Sequence, residues 1–244
     1  MTRVALARVA WLAVGHAALV ALFWGLVNVP DANALMIGLS IATLAALIAV
    51  AAIVEGTAAA WLLPGRSWRQ ALVAGLGSVP AVVAALVLMG IFWWIGVACA
   101  GWFDGHRGEI DAWLIANFDV TETAWIDRVV SAVGFVWMGI LGVSLAVALL
   151  YVRLERGMPA VVRGEWLRAG LSRDQLTLTA AAMTLLVALP WQAAYWRPRG
   201  LPPNAWQLAF VALKLGLIYL AMNVGWLFVL LAGARNAASA DSSR

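Results

Sequence analysis

Residues 34–54 read ALMIGLSIATLAALIAVAAIV and contain no charged side chain. A helix that crosses a bilayer needs about 20 apolar residues in succession, so this stretch is long enough to span a membrane. Residues 9–29 and 208–233 are apolar over comparable lengths. Three such stretches in one chain predict an integral membrane protein with several spans.

The composition supports this class. Apolar residues make up 64% of the chain and charged residues 11%, whereas soluble domains have about 45–50% and about 25%. We predict an all-α fold, a polytopic bundle of six transmembrane helices in one domain over residues 1–233, followed by a disordered cytoplasmic tail over residues 234–244. The predicted spans are residues 9–29, 34–55, 71–97, 129–152, 176–195 and 206–233.

The first span needs to be distinguished from a signal peptide. Arg3 and Arg8 precede it, and residues 32–34 have the A-x-A form of a cleavage site. Its apolar region is longer than the roughly 7–15 residues of a signal sequence, and a second span follows directly. We therefore expect an uncleaved first helix.

Local signals mark several helix ends. Asp31 or Asn33 can cap the second span, which is able to continue as helix to residue 62. Ser67 and Gln70 have the spacing of a capping box at the start of the third span. Pro80 lies inside that predicted span, where a proline removes a backbone hydrogen bond, so we expect a kink there.

Residues 101–128 form the most extended polar segment. Acidic residues alternate in it with Trp102, Trp113, Phe118 and Trp125. The apolar positions from residue 110 onward follow helical spacing and predict a short external amphipathic helix on the membrane surface.

Arginine placement predicts the orientation, because cytoplasmic loops are enriched in basic residues. With the N-terminus inside, 11 basic residues lie on the cytoplasmic side and 4 outside. The inside residues are Arg3, Arg8, Arg66, Arg69, Arg153, Arg156, Arg163, Arg168, Arg173, Arg235 and Arg244, and the outside residues are Arg107, Arg128, Arg197 and Arg199. We expect both termini in the cytoplasm and the chain in the inner membrane of a bacterium.

Three ionisable residues fall within the predicted spans, where polarity is costly and needs a partner. We expect His16 to form a hydrogen bond to a neighbouring helix. Glu55 is expected to be hydrated at the inner interface and paired with Arg66 or Arg69. Lys214 is expected to extend its ammonium to the head groups or to pair with an external acid such as Asp127, with a solute contact as the alternative.

The chain shows no recognised catalytic motif. His16 and His106 belong at different depths, and Cys99 is the single cysteine, so neither a metal site nor a haem site is expected. The acidic group around His106 is interpreted as a hydrated loop. The arginines are dispersed through loops, which argues against nucleic-acid binding. We predict no catalytic, cofactor-binding or metal-binding residues, and no cofactor.

The second span carries small residues at spacings of 4, 3, 4, 3 and 4. Small residues allow close approach of helix backbones and favour packing in lipid. The sequence does not show whether the partner helix belongs to this chain or to another. This small-residue stripe consists of Gly38, Ala42, Ala45, Ala49, Ala52 and Gly56.

Two functions from different classes follow. The first is a non-catalytic membrane component, namely a scaffold, assembly factor or accessory subunit, with the bilayer, other membrane subunits or a second copy as partners. The alternative is a permease for a small or lipidic solute, which the Pro-broken third span, Lys214 and a loose similarity between two cytoplasmic hairpins favour. A membrane-embedded enzyme is the third and weakest interpretation.

Overall fold

The computed structural model describes residues 3–30, 33–118, 123, 125–196 and 205–241. These residues form helices and short connections without a strand. The helices are α1 Arg3–Val27, α2 Ala34–Leu62, α3 Trp68–Gly77, α4 Val79–Gly105, α5 Arg107–Phe118, α6 Trp125–Gly134, α7 Val143–Arg156, α8 Met158–Val162, α9 Glu165–Gly170, α10 Arg173–Met183, α11 Leu189–Tyr195 and α12 Ala205–Asp241.

Six helices among the described residues are long and apolar enough to cross a membrane. The fourth crossing joins α6 to α7 through π-helical turns at Phe135–Gly142, and the fifth joins α10 to α11 through Thr184–Ala188. The all-α polytopic bundle predicted from sequence is confirmed. An even number of crossings places both termini at one end of the bundle, which we call the terminal end; the other is the far end.

The third span differs from the prediction. Residues 71–97 were expected to form one kinked helix, but α3 ends at Gly77 and α4 begins at Val79. Pro80 lies in the first turn of α4, where its missing N–H would have no helical partner in any case. Ser78 stabilises the break by donating its hydroxyl to the Gly75 carbonyl at 2.6 Å. The crossing therefore extends to Gly105, and α3 is a separate helix packed against α2.

The predicted disordered tail is also wrong over most of its length. Helix α12 continues to Asp241, and residues 242–244 lie outside the described part. Four of the residues from 234 to 241 are alanine, the best helix former, so the helix can continue beyond its apolar part.

Buried side chains concentrate near the terminal end. Helices α2, α7 and α12 bury their residues 51–63, 143–152 and 227–234 almost continuously. Tyr151, Leu12 and Leu230 are among the largest fully buried side chains. Toward the far end, α2, α4 and α12 expose large apolar side chains such as Leu35, Trp94 and Leu208. The helices therefore pack together mainly in the half of the bundle nearest the terminal end.

Aromatic rings and an arginine reinforce the terminal end. Trp68 lies between Trp11 and Trp61, with ring centroids 4.6 and 4.8 Å apart. Arg8 donates a hydrogen bond of 2.6 Å to the Trp61 carbonyl and lies over the Trp61 ring. These contacts tie α1, α2 and α3 together.

The polar segment at the far end forms a helix, as predicted. Helix α5 exposes Trp113 and Phe118, which pack edge to face. Arg107 at its start pairs with Asp111 in α5 and with Asp127 in α6, at 3.1 and 2.5 Å. These ion pairs tether α5 to the fourth crossing; its placement on a membrane surface stays a prediction.

Candidate functional site

Two of the three predicted intramembrane ionisable residues meet in the structure. The imidazole Nε2 of His16 in α1 lies 2.7 Å from Oε1 of Glu55 in α2. Both side chains are mostly buried, at 24% and 18% exposed. The predicted hydrogen bond from His16 to a neighbouring helix is confirmed.

The close approach of α1 and α2 depends on Gly15. A Cβ at Gly15 would lie 2.5 Å from Val54 Cγ1, closer than real atoms approach. The Trp11 indole N–H donates to the Val54 carbonyl at 3.1 Å, one turn below His16 on α1. A glycine beside the histidine thus lets the two helix backbones come near enough for His16 to reach Glu55.

Helix α12 completes the cluster with two side chains one turn apart. Asn223 Oδ1 lies 2.7 Å from His16 Nδ1 and accepts its hydrogen bond, and the Asn223 amide nitrogen donates to the Tyr219 carbonyl at 2.9 Å. The Trp226 indole N–H donates to Glu55 Oε2 at 2.6 Å. The Tyr219 hydroxyl donates to the Ala13 carbonyl and joins α12 to α1 a second time.

These contacts define a polar cluster of His16, Glu55, Asn223 and Trp226 between three membrane-crossing helices. It places an acid and a base in hydrogen-bond contact inside an apolar bundle. Hydrogen bonds of this kind are strengthened by the low local dielectric, and a member left without its partner is costly. The cluster can therefore lock the helices together and can hold a proton.

The predicted environment of Glu55 is wrong. Its hydrogen bonds in the described structure come from His16 and Trp226, not from Arg66 or Arg69. Arg66 instead donates to the Leu154 carbonyl at 3.2 Å. Because α2 continues to Leu62, Glu55 lies about two turns inside the helix rather than at its end.

Sequence reasoning did not pair His16 or Glu55 with residues of α12. Tyr219, Asn223 and Trp226 follow one another at spacings of four and three, which places them on one face of a helix. A polar face within an apolar span was the available signal. What the sequence could not supply was the rotation of α12 that turns this face toward α1 and α2.

Lys214 lies outside the polar cluster. Its ammonium donates to the carbonyls of Ala194 and Trp196 at 2.6 and 3.0 Å, and it lies 5.6 Å from the centre of the Phe210 ring. The predicted pairing with Asp127 is wrong, because Asp127 binds Arg107. The last carbonyls of a helix lack partners within it, so Lys214 caps α11 from the neighbouring helix.

The small-residue stripe divides into two parts. Ala52 and Gly56 are buried, and a Cβ on Gly56 would lie 2.9 Å from Gly75 Cα in α3. The remaining members, Gly38, Ala42, Ala45 and Ala49, are exposed in this chain. The prediction of a packed face therefore holds within this chain only for the part nearest the terminal end.

The other sequence-based candidates do not converge. His106 lies in the far-end connection between α4 and α5, where its Nδ1 contacts the Trp102 carbonyl at 2.8 Å, and Cys99 is exposed on α4. Asp119 and Glu122, whose spacing resembles a capping box before the fourth span, lie outside the described residues. Over the described ranges, no group of three or more His, Cys, Asp or Glu side chains is arranged to hold a metal ion.

Comparison with known proteins adds no relative. No family model, no curated protein and no solved structure matches the chain. The geometry of the helices and of the polar cluster is therefore the basis for assigning a function.

Proposed function

We propose that the chain is a non-catalytic component of a membrane complex: a scaffold, an assembly factor or an accessory subunit. The observation that carries the proposal is the divided small-residue stripe of α2. Its inner part packs against α3, and its outer part continues along the same face of the helix without a partner among the residues that the structure describes.

The outer part has the properties of a helix-docking face. A Cβ added to Gly38 would have no neighbouring atom within 4 Å, and the other outer positions, Ala42, Ala45 and Ala49, are also exposed. Lipid tails gain little from small residues, whereas a second helix can approach such a face closely and gain dispersion contacts. A transmembrane helix of a partner subunit or of a second copy is the expected occupant.

The exposed apolar surface supports an incomplete bundle. Much of the exposed large apolar surface lies toward the far end, where the helices make few buried contacts. Lipid covers part of such a surface in any membrane protein, and a partner would cover the part around the outer stripe.

We propose the inner membrane of a bacterium as the location, with the terminal end in the cytoplasm. The support is the bias of 11 basic residues to 4 toward the terminal end. With this orientation α5 lies outside the cell and the α8–α9 connection lies inside.

Site-specific photo-crosslinking in native membranes tests the subunit proposal. A photoreactive residue at Ala45, on the stripe, is compared with one at Ala46, which is also exposed but points about 100° away around the helix. We expect a discrete protein adduct from position 45, identified by mass spectrometry as another subunit or as this chain, and lipid adducts from position 46. Lipid adducts alone from both positions would refute the docking face.

A proton-coupled permease for a small or lipidic solute is a second candidate, favoured by the polar cluster. Paired acidic and histidine side chains inside spans are typical of proton relays in transporters. The test is solute-dependent proton movement into proteoliposomes, followed with a pH-sensitive dye. This proton movement should disappear in Glu55→Gln and persist in Lys214→Arg. If Glu55→Gln leaves the solute flux and the accompanying proton movement unchanged, the polar cluster does not couple protons to solute transport.

A further inference from the structure

The hydrogen bonds of the polar cluster determine where its protons lie. The Asn223 amide nitrogen donates to the Tyr219 carbonyl, so the atom that faces His16 is the amide oxygen. An amide oxygen only accepts hydrogen bonds, and His16 Nδ1 must therefore carry a hydrogen. The α12 backbone, through the Tyr219 carbonyl, thus selects the protonation of this ring nitrogen.

The carboxylate of Glu55 is constrained in the same way. The Trp226 indole nitrogen can only donate, so Glu55 Oε2 accepts. The remaining oxygen, Oε1, lies 2.7 Å from His16 Nε2. Two lone pairs at this separation would repel, because a hydrogen-bond distance requires a hydrogen between the two heavy atoms.

We propose that the His16–Glu55 pair is a binding site for one exchangeable proton, and that the structure represents the protonated site. The proton lies between Nε2 and Oε1, either as imidazolium with carboxylate or as neutral imidazole with carboxylic acid. Both forms hold the same number of protons. Release transfers one proton to water and leaves a neutral imidazole, protonated at Nδ1, facing a carboxylate.

The proton links the positions of three helices. After its release the Nε2 lone pair faces the Oε1 charge, so the 2.7 Å contact between α1 and α2 must lengthen. The contacts from Trp11 to Val54 and from Tyr219 to Ala13 do not involve this proton and keep α1 attached. We expect a local change at the middle of the bundle rather than its dissociation.

Few other charges act on the pair. Helix α12 contributes the neutral Asn223 and Trp226, and α7 contributes the fully buried, uncharged phenol of Tyr151, with Arg8 and Glu155 as the charged side chains of this region. Arg8 is engaged by the Trp61 carbonyl. The His16 and Glu55 side chains are 24% and 18% exposed, so the site is not completely enclosed by the chain.

The proposal concerns the cluster on which the permease candidate rests, but it holds whether or not the chain moves a solute. The chain has two histidines, so a His106→Gln variant leaves His16 as the only imidazole. Solid-state NMR of this variant with ¹⁵N-labelled histidine in lipid bilayers then reports the protonation of each His16 nitrogen directly. Infrared difference spectra between this variant and the same variant with Glu55→Gln report the Glu55 carboxyl.

We expect one added proton at low pH, seen either as a doubly protonated imidazole or as a carboxylic acid band that Glu55→Gln removes. Raising the pH should remove that proton and leave Nδ1 protonated. In Glu55→Gln we expect the His16 proton affinity to fall at least tenfold. Neutral His16 facing an ionised Glu55 at every pH would overturn the proposal. If Glu55→Gln does not fold, the His106→Gln titration alone decides, and Lys214→Arg, which lies outside the polar cluster, serves as the control variant in which the titration of His16 persists.

Discussion

Gly56 of α2 and Gly75 of α3 approach so closely that neither position has room for a side chain. A Cβ on Gly56 would lie 2.9 Å from Gly75 Cα, and a Cβ on Gly75 would lie 2.7 Å from the Thr57 backbone nitrogen. The Ser78 and Thr57 hydroxyls are nearer still, but these backbone atoms cannot move aside as a flexible side chain could. The packing of α3 on α2 depends on this approach.

We therefore expect Gly56→Ala to destabilise the protein by about 1–3 kcal/mol, the usual cost of overpacking. Gly38→Ala is the matched control, since it lies in the same helix and stripe with nothing within 4 Å of the added carbon. Unfolding in detergent, followed by thermal or denaturant titration, should show a loss for Gly56→Ala only. Equal stability of the two variants would contradict the described α2–α3 packing.

The two parts of the stripe should respond differently to enlargement. Ala52→Leu adds bulk to a fully buried position and should destabilise the isolated chain by about 1–3 kcal/mol. Ala45→Leu adds bulk to an exposed position and should leave the isolated chain within about 0.5 kcal/mol of wild type.

The same Ala45→Leu variant should nevertheless weaken assembly in the membrane, because the added side chain separates a docked helix from α2. Blue-native electrophoresis after gentle solubilisation measures this effect, with Ala46→Leu as the control. Assembly unaffected by Ala45→Leu would remove the support for a partner on this face.

Lys214 links α12 to the end of α11 through two carbonyl groups. Lys214→Met removes both hydrogen bonds, but it also removes a charge from the membrane span. Hydrogen bonds to charged groups contribute roughly 1.5–3 kcal/mol, and the relief of desolvation offsets part of this, so we expect a net loss of about 1 kcal/mol. Lys214→Arg should retain most of the stability, because arginine can also donate to these carbonyls.

Amide hydrogen exchange shows which helix is destabilised by Lys214→Met. In Lys214→Met we expect faster exchange confined to Leu189–Tyr195, with the polar cluster unchanged. Unaltered exchange in α11 would show that the lysine does not cap this helix.

Glu165 in the connection after α7 has a pH-dependent role. Hydrogen bonds from Arg156, and next from Arg163, hold the pKa of the Glu165 carboxyl below its ordinary value. A carboxyl group whose pKa is lowered on folding stabilises the fold at pH values above its pKa in the unfolded chain, which is about 4.3. This contribution is lost as the pH falls through the lower pKa of the folded state. We expect hydrogen exchange in residues 157–172 to accelerate at pH below about 4, and Glu165→Gln to lack this pH dependence while exchanging faster at neutral pH.

The orientation can be checked with reporter fusions at the C-terminus. With both termini in the cytoplasm, a fused alkaline phosphatase should be inactive and a fused green fluorescent protein should fluoresce. The matched control joins the same reporters after Gly105, at the far end of α4, where the phosphatase should be active. The opposite pattern would place the terminal end outside and would reverse the proposed topology.

Features that depend on neighbouring residues could be predicted from the sequence. The number of crossings follows from the lengths of apolar runs, since each crossing must satisfy its own backbone within lipid. Asn33 caps α2 by accepting from the Met36 N–H, and Ser67 and Gln70 form the expected capping box. The hydrogen bonds of these caps extend over three residues, so local sequence contains all the groups involved.

Tertiary structure decided which distant groups meet. His16 and Asn223 are separated by 207 positions, and whether they touch depends on the rotation and depth of α1 and α12. The same holds for Glu55, which faces His16 rather than an arginine, and for Lys214, which faces α11. Apolar periodicity indicates that a helix crosses the membrane but constrains its rotation weakly, because lipid and protein interior are both apolar. Close approaches at Gly15, Gly56 and Gly75 fix that rotation, and they become visible only when the helices are packed together.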